Sequence, residues 1–234
     1  MSDSSSTRQL LAATAMRMFA ERGIDGVSLR ELTAAAGQRN KVAAQYHFGS
    51  KERLVQAIFE QYTGQVDRRR WAMLADLGYD TRRLGIPELV DALISPLAET
   101  ATAPGSHYVR FLAAASTPPW VEALAGADPA VTSSVRAVFA ALADQLAYLP
   151  LPVVRTRLSL SMTLVVRALA GLEPTADADP ARSALFIANI IDATIGMLTG
   201  PVSDTATDLL AGSATDIPDS SWSWHILIGP ARGE

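Results

Sequence analysis

Apolar residues recur at helical spacing through most of the chain, while the two-residue alternation of a half-buried strand is scarce, so the pattern predicts an all-α protein. Leu11, Ala12, Ala15, Met18 and Phe19 form one stripe with Thr14 at its edge. The helix they define closes at Gly23, after Arg22 near its negative end. Ser28 and Glu31 form a capping box ahead of Leu29, Leu32 and Ala35, and Gly37 stops this second helix after about two turns. The polar run Gln38, Arg39, Asn40 and Lys41 is expected to open a third short helix that continues through Gln45. Gly49 and Ser50 then break the chain before a longer helix that starts at Lys51 and carries Leu54, Val55, Ile58, Phe59 and Tyr62.

Beyond Gly78 the punctuation is proline in first-turn positions, at Pro87, Pro129, Pro152 and Pro180. Asp128 and Asp179 precede two of them and supply the cap acceptor. Helices are expected near 87–102, 106–116, 129–148, 153–172 and 180–199, with loops at Thr102 to Gly105, Thr117 to Pro119 and Glu173 to Asp179. The tail, 213–234, is expected to be loosely held, with Trp222, Trp224, Ile226 and Ile228 against an apolar surface. The most apolar run, Leu185 to Leu198, is 14 residues long and includes Asn189 and Asp192. That is short of the roughly 20 residues of a membrane span, so it reads as a buried helix and no membrane partner is expected.

Composition changes this picture in three ways. Hydrophobic residues are 49% and charged residues 19%, enough apolar side chain for a real core. Cysteine is absent and only three histidines occur, which excludes disulfides, thiolate metal sites and a cysteine nucleophile. Charge is uneven: residues 1–70 hold 11 Lys and Arg against 7 Asp and Glu, leaving 9 basic and 17 acidic residues of the chain's 20 and 24 for the remainder. A small basic module on a larger acidic body suggests a polyanion partner for the front. The start, Met1 to Thr7, is polar and serine-rich, without the order of a secretory signal, and a cytoplasmic location is expected.

Two short helices around a tight glycine turn, the second opening on polar and basic residues, have the shape of a helix-turn-helix. Arg can read guanine bidentately, and Asn or Gln can read adenine. Direct readout is therefore expected from Arg39, Asn40, Lys41 and Gln45 as a group, with Gln38 at the edge of the turn. Lys51 opens the fourth helix, where its ammonium and the first-turn N–H groups suit a phosphate.

Ala12 to Ile58 contains Phe19, Gly23, Ser28-Leu29-Arg30-Glu31-Leu32, Ala36-Gly37 and Tyr46-His47-Phe48-Gly49-Ser50-Lys51-Glu52-Arg53-Leu54. This segment resembles the DNA-binding domain of the tetracycline-repressor (TetR) family of transcriptional regulators. The sequence departs from the commonest family pattern by one extra residue between Gly37 and the aromatic cluster, and Gln45 stands where tyrosine is frequent. The resemblance implies backbone-phosphate contacts from Tyr46 and His47, with Arg30 and Ser28 as further candidates. It also implies three N-terminal helices as a DNA-binding domain over residues 1–50, a linking helix at about 51–77 and a helical effector-binding and dimerisation domain spanning 51–212.

The last two long helices are apolar nearly all round, and a helix without a polar face is buried on more than one side. One side can face the core and the other a second copy, in agreement with the four-helix dimer interface of the family. Leu158, Val165, Leu169, Leu185, Ile191 and Ile195 are the expected interface residues. In the family the body encloses an effector pocket, and an apolar or amphipathic small molecule is expected here, contacted by Trp71, Tyr108, Phe111, Trp120, Met162 and Asn189. The expected function is a ligand-responsive homodimeric repressor of double-stranded operator DNA, with no catalytic residue, cofactor or metal. Two other classes share the helical pattern, a carrier or enzyme-like protein with a non-functional DNA-binding domain and a protein-interaction adaptor. No nucleophile elbow, dinucleotide fingerprint or zinc-protease motif supports catalysis.

Overall fold

The computed structural model describes residues 2–40, 42–173 and 179–212. Lys41 and the tail, with Trp222, Trp224, Ile226 and Ile228, lie outside the described residues. Every regular element among the described residues is helical: α1 Ser2–Arg22, α2 Leu29–Ala35, α3 Ala43–Phe48, α4 Lys51–Asp76, α5 Ile86–Thr102, α6 Tyr108–Ala115, α7 Trp120–Leu124, α8 Ser133–Gln145, α9 Leu151–Leu172, α10 Pro180–Thr199 and α11 Asp204–Gly212. Single 3-10 turns occur at Thr81–Arg83 and Pro129–Thr132. α7 and α11 are additions to the expected helices, and the helix expected over 129–148 divides into a 3-10 turn and α8.

The first three helices form a small head. α1 ends at Gly23, which takes the left-handed φ of 75° that favours glycine. Ser28 caps α2: its hydroxyl accepts the Glu31 N–H and donates to the Glu31 carboxylate, which also accepts the Ser28 N–H. The Ser28 backbone and hydroxyl, with Arg22, hold the Glu31 carboxyl down at about 2. α2 closes in a Schellman motif, with Gly37 at φ 66° and the N–H groups of Gly37 and Gln38 donating to the carbonyls of Ala34 and Thr33.

Head and body share one continuous core. α1 packs on α6, and α4 runs from the head into the body, packing on α5, α7 and α8. Phe19 of α1 stacks on Phe111 of α6 at 6.4 Å, Phe111 lies 6.2 Å from Tyr108, and Tyr108 stacks on Tyr62 of α4 at 5.5 Å. The Tyr108 hydroxyl also meets the Thr63 hydroxyl at 2.5 Å. These rings form a column from the head to the middle of α4.

A buried polar cluster fixes α4 lower down. Pro96 sits inside α5 and cannot donate to the Ala92 carbonyl one turn back. Arg70 replaces it, donating from Nε to Ala92 at 2.9 Å, from Nη2 to the Leu93 carbonyl at 3.1 Å and from Nη1 to Ser134 Oγ at 3.0 Å. Asp67 accepts the Ser134 N–H at 2.7 Å and the hydroxyls of Ser133 and Ser134, tying α4 to the start of α8. Elsewhere Glu173, at the end of α9, accepts the N–H groups of Val109 and Arg110 and caps α6.

α10 is not the buried helix that its composition suggests. Ser183, Ile190, Thr194 and Leu198 are buried against the rest of the chain, while Leu185 is 66% and Phe186 42% exposed. By length and composition α10 could cross a membrane, but its buried line and its packing on α5 and α9 make it a wall of the bundle.

Candidate nucleic-acid interface

α3 is shorter than the sequence predicts, and this moves the expected readers. The helix begins at Ala43, so Gln38, Arg39 and Asn40 lie in the turn before it and not in its first turn. The physical reason is Asn40: its side-chain Oδ1 accepts the Val42 N–H at 3.2 Å, and its carbonyl accepts the Ala43 N–H at 3.1 Å. Asn side chains compete with helix formation through such local bonds. Gln38 is half-buried, with its amide on the Ala36 carbonyl, whereas Arg39 is exposed.

Three contacts hold α3 in place. Thr33 of α2 donates to the Leu29 carbonyl and accepts the Ala44 N–H at 3.3 Å. Arg8 of α1 donates to the His47 carbonyl at 3.0 Å and lies 4.6 Å from the centre of the Phe48 ring. Ala43, Ala44 and Phe48 are buried beneath. Gln45 and Tyr46 are exposed on the outer side, Tyr46 at 80%, with its ring edge-on to His47 at 5.3 Å.

The expected phosphate contacts divide. Arg30 is exposed on α2 and its guanidinium meets no acceptor among the described residues. Ser28 is not free, because both roles of its hydroxyl go to Glu31. Lys51 is turned inward: its ammonium donates to the Ile24 carbonyl at 2.9 Å and lies 5.4 Å from the centre of the Trp120 ring. The anion site expected at the start of α4 is also partly filled. Ser50 Oγ accepts the Arg53 N–H, and hydrogen bonds from Ser50 and from its own backbone lower the Glu52 carboxyl below the usual range. Arg53, exposed in the same turn with its side chain running past Gly49, is the cation that the sequence reading missed. Arg8 was missed too, since α1 reads as a core helix and nothing in its spacing points to α3.

In the body, Tyr108, Phe111 and Met162 are buried core. Trp71 donates its ring N–H to Ser133 Oγ at 2.9 Å. Trp120 is buried and its ring N–H meets no acceptor among the described residues. Asn189 is a correction: it is exposed on α10 and donates to the Leu185 carbonyl of its own helix, so it faces away from the core. Leu158, Val165 and Leu169 are also corrected, because they are 7%, 0% and 0% exposed within the chain's own core. α9 lies against α5, α6 and α10, which consume that stripe, and its outward stripe is Leu160, Leu164 and Arg167. On α10, Leu185 is exposed as expected, while Ile191 and Ile195 are half-buried against the core.

The family model for bacterial regulatory proteins of the tetR family matches residues 11–58, from the middle of α1 through α2 and α3 to the start of α4. No curated protein matches this sequence. Among solved structures, the fold is similar to a protein from Shewanella sp. PV-4 assigned as a tetR family transcription regulator, at 17% identity and a TM-score of 0.58, covering 80% of this chain and 97% of that one. It is also similar to HlyIIR, a hemolysin II transcriptional regulator, at 15% identity and a TM-score of 0.50, covering 81% of this chain and 97% of that one. At these identities the structures show the fold alone, and the family match covers residues 11–58.

Proposed function

We propose that this chain, whose residues 11–58 match the family model for bacterial regulatory proteins of the tetR family, is a homodimeric repressor of that family released from operator DNA by a small apolar or amphipathic molecule. The observation that carries DNA reading is the outer face of α3, anchored by Thr33, Asn40 and Arg8 and presenting Gln45 and Tyr46 to solvent. Tyr46, His47, Arg30, Arg39 and Arg53 supply the hydroxyl, imidazole and guanidinium groups that position a duplex by its phosphates. Residues 1–50 act as the reading domain, α4 as the link and the body up to residue 212 as the dimerisation and effector domain.

Dimerisation is supported by the outward faces of the last two long helices. Leu160, Leu164, Leu185 and Phe186 are 42%, 36%, 66% and 42% exposed, an apolar surface that a second copy would cover. Effector response is supported by the ring column from Phe19 to Tyr62 and by the Trp120 N–H, which meets no acceptor among the described residues. A ligand that places an acceptor at Trp120 and separates Tyr108 from its neighbours favours a different placement of head on body. It shifts DNA affinity by its differential affinity for the two placements.

The test is titration of the full-length protein against DNA flanking its own gene, with random-sequence competitor, at two salt concentrations. Saturable binding that survives competitor and tightens at lower salt is the expected result. Binding that competitor removes completely at both salts overturns the reading.

A further inference from the structure

Among the described residues, the exposed face of α3 carries no Lys or Arg. Val42, at the N-cap position, is 56% exposed and stands three and four residues before Gln45 and Tyr46, which puts all three on one side of the helix. A single exposed apolar side chain means nothing by itself. Here it borders an exposed amide on the face held outward by buried Ala43, Ala44 and Phe48. Arg39, the described residue suited to guanine, lies in the preceding turn. Asn40 ties its Oδ1 to the Val42 N–H, which holds its amide in the turn ahead of α3.

We propose that α3 reads A·T pairs: Gln45 spans N6 and N7 of an adenine, and Val42 packs on the C5 methyl of a neighbouring thymine. This rests on the reading of α3 as the major-groove element. Adenine offers one donor and one acceptor in the major groove, matching a carboxamide on both sides, whereas guanine offers two acceptors and leaves the amide oxygen unmatched. A thymine methyl suits the valine, while a cytosine there would set its N4 donor against an apolar group and leave it without a partner. Tyr46, beyond them on the same face, remains a phosphate contact at the groove edge.

Selection of bound duplexes from a randomised library with the full-length protein, followed by base analogues in the selected site, tests this directly. At one thymine, deoxyuridine is expected to weaken wild-type binding about three- to fourfold, the value of one buried methyl. The same replacement should leave Val42→Ala unaffected. At a nearby adenine, 7-deazaadenine is expected to cost at least about fivefold in wild type and nothing further in Gln45→Ala. A selected half-site with only G·C pairs under α3, or analogue effects equal in wild type and variants, overturns the proposal while leaving specific DNA binding intact. Enrichment of no sequence overturns the proposed function as well.

Discussion

Arg70 and Asp67 are 5% and 6% exposed, and both owe their burial to backbone groups that other helices leave without partners. Arg70 serves the carbonyl that Pro96 deprives of a donor, and Asp67 serves the first turn of α8. Burial lowers the Arg70 guanidinium to about 10 while Asp67 opposes the change, so the group stays charged at neutral pH. Surface ion pairs such as Arg17 with Glu21 contribute at most about 1 kcal/mol. Arg70→Met strips the Ala92 carbonyl of its donor and Ser134 of a partner, and is expected to lower unfolding stability by about 1–3 kcal/mol in urea denaturation. A loss under about 1 kcal/mol would show that the cluster contributes little. Glu31 makes a pH prediction. Its folded value of about 2 lies below the ordinary 4.5, so its cap is fully present above pH 4.5 and is lost as pH falls from there toward about 2. Protection of the α2 N-terminal amides against hydrogen exchange, taken relative to their intrinsic rates at each pH, should fall through that window in the wild type, and Glu31→Gln should show no such step.

At the scale of elements, the start of α4 is where charge and structure part company. Lys51 spends its ammonium on Ile24 and Trp120, and Arg53 stays exposed beside it. Arg53→Ala is expected to reduce the slope of log affinity for DNA against log salt by roughly one, and Lys51→Met to leave that slope unchanged. Lys51→Met should instead shift tryptophan emission, since Trp120 loses the cation over its ring. A reduced slope in Lys51→Met alone would reverse the two roles. The elements themselves were largely legible. Gly23, Gly37, the Ser28 and Glu31 box and the Asp179-Pro180 pair mark ends that the structure keeps. The start of α3 was not, because a polar run fits a helix start and a turn equally, and only the Asn40 bonds decide between them. α7 was missed because five residues after two prolines carry too short a period to read. Side-chain direction was the least legible property. Spacing places Lys51 in a first turn and Leu158 on an apolar helix, but the partners that turn both inward, Ile24 and α6 among them, are remote in sequence.

At the scale of the molecule, the apolar outward faces of α9 and α10 and the reading face of α3 belong to one account, in which two heads meet DNA through a dimer of bodies. Leu164→Asp combined with Phe186→Asp is expected to give a monomer by sedimentation, still helical by circular dichroism, with operator affinity reduced at least about tenfold because one head makes too few contacts. A double variant that sediments unchanged would place the interface elsewhere. Head and body share the Phe19 to Tyr62 ring column and the Lys51 contact with Trp120, and under the proposed function these shared groups are where an effector would reach the head. The most direct measurement is a footprint of the full-length protein on a duplex selected from random DNA, read together with the mass of the complex. The account predicts two chains per duplex and two protected half-sites whose centres lie about one turn of DNA, or a whole multiple of it, apart. One chain on a single unpaired site, or no protection of any selected sequence, would contradict it.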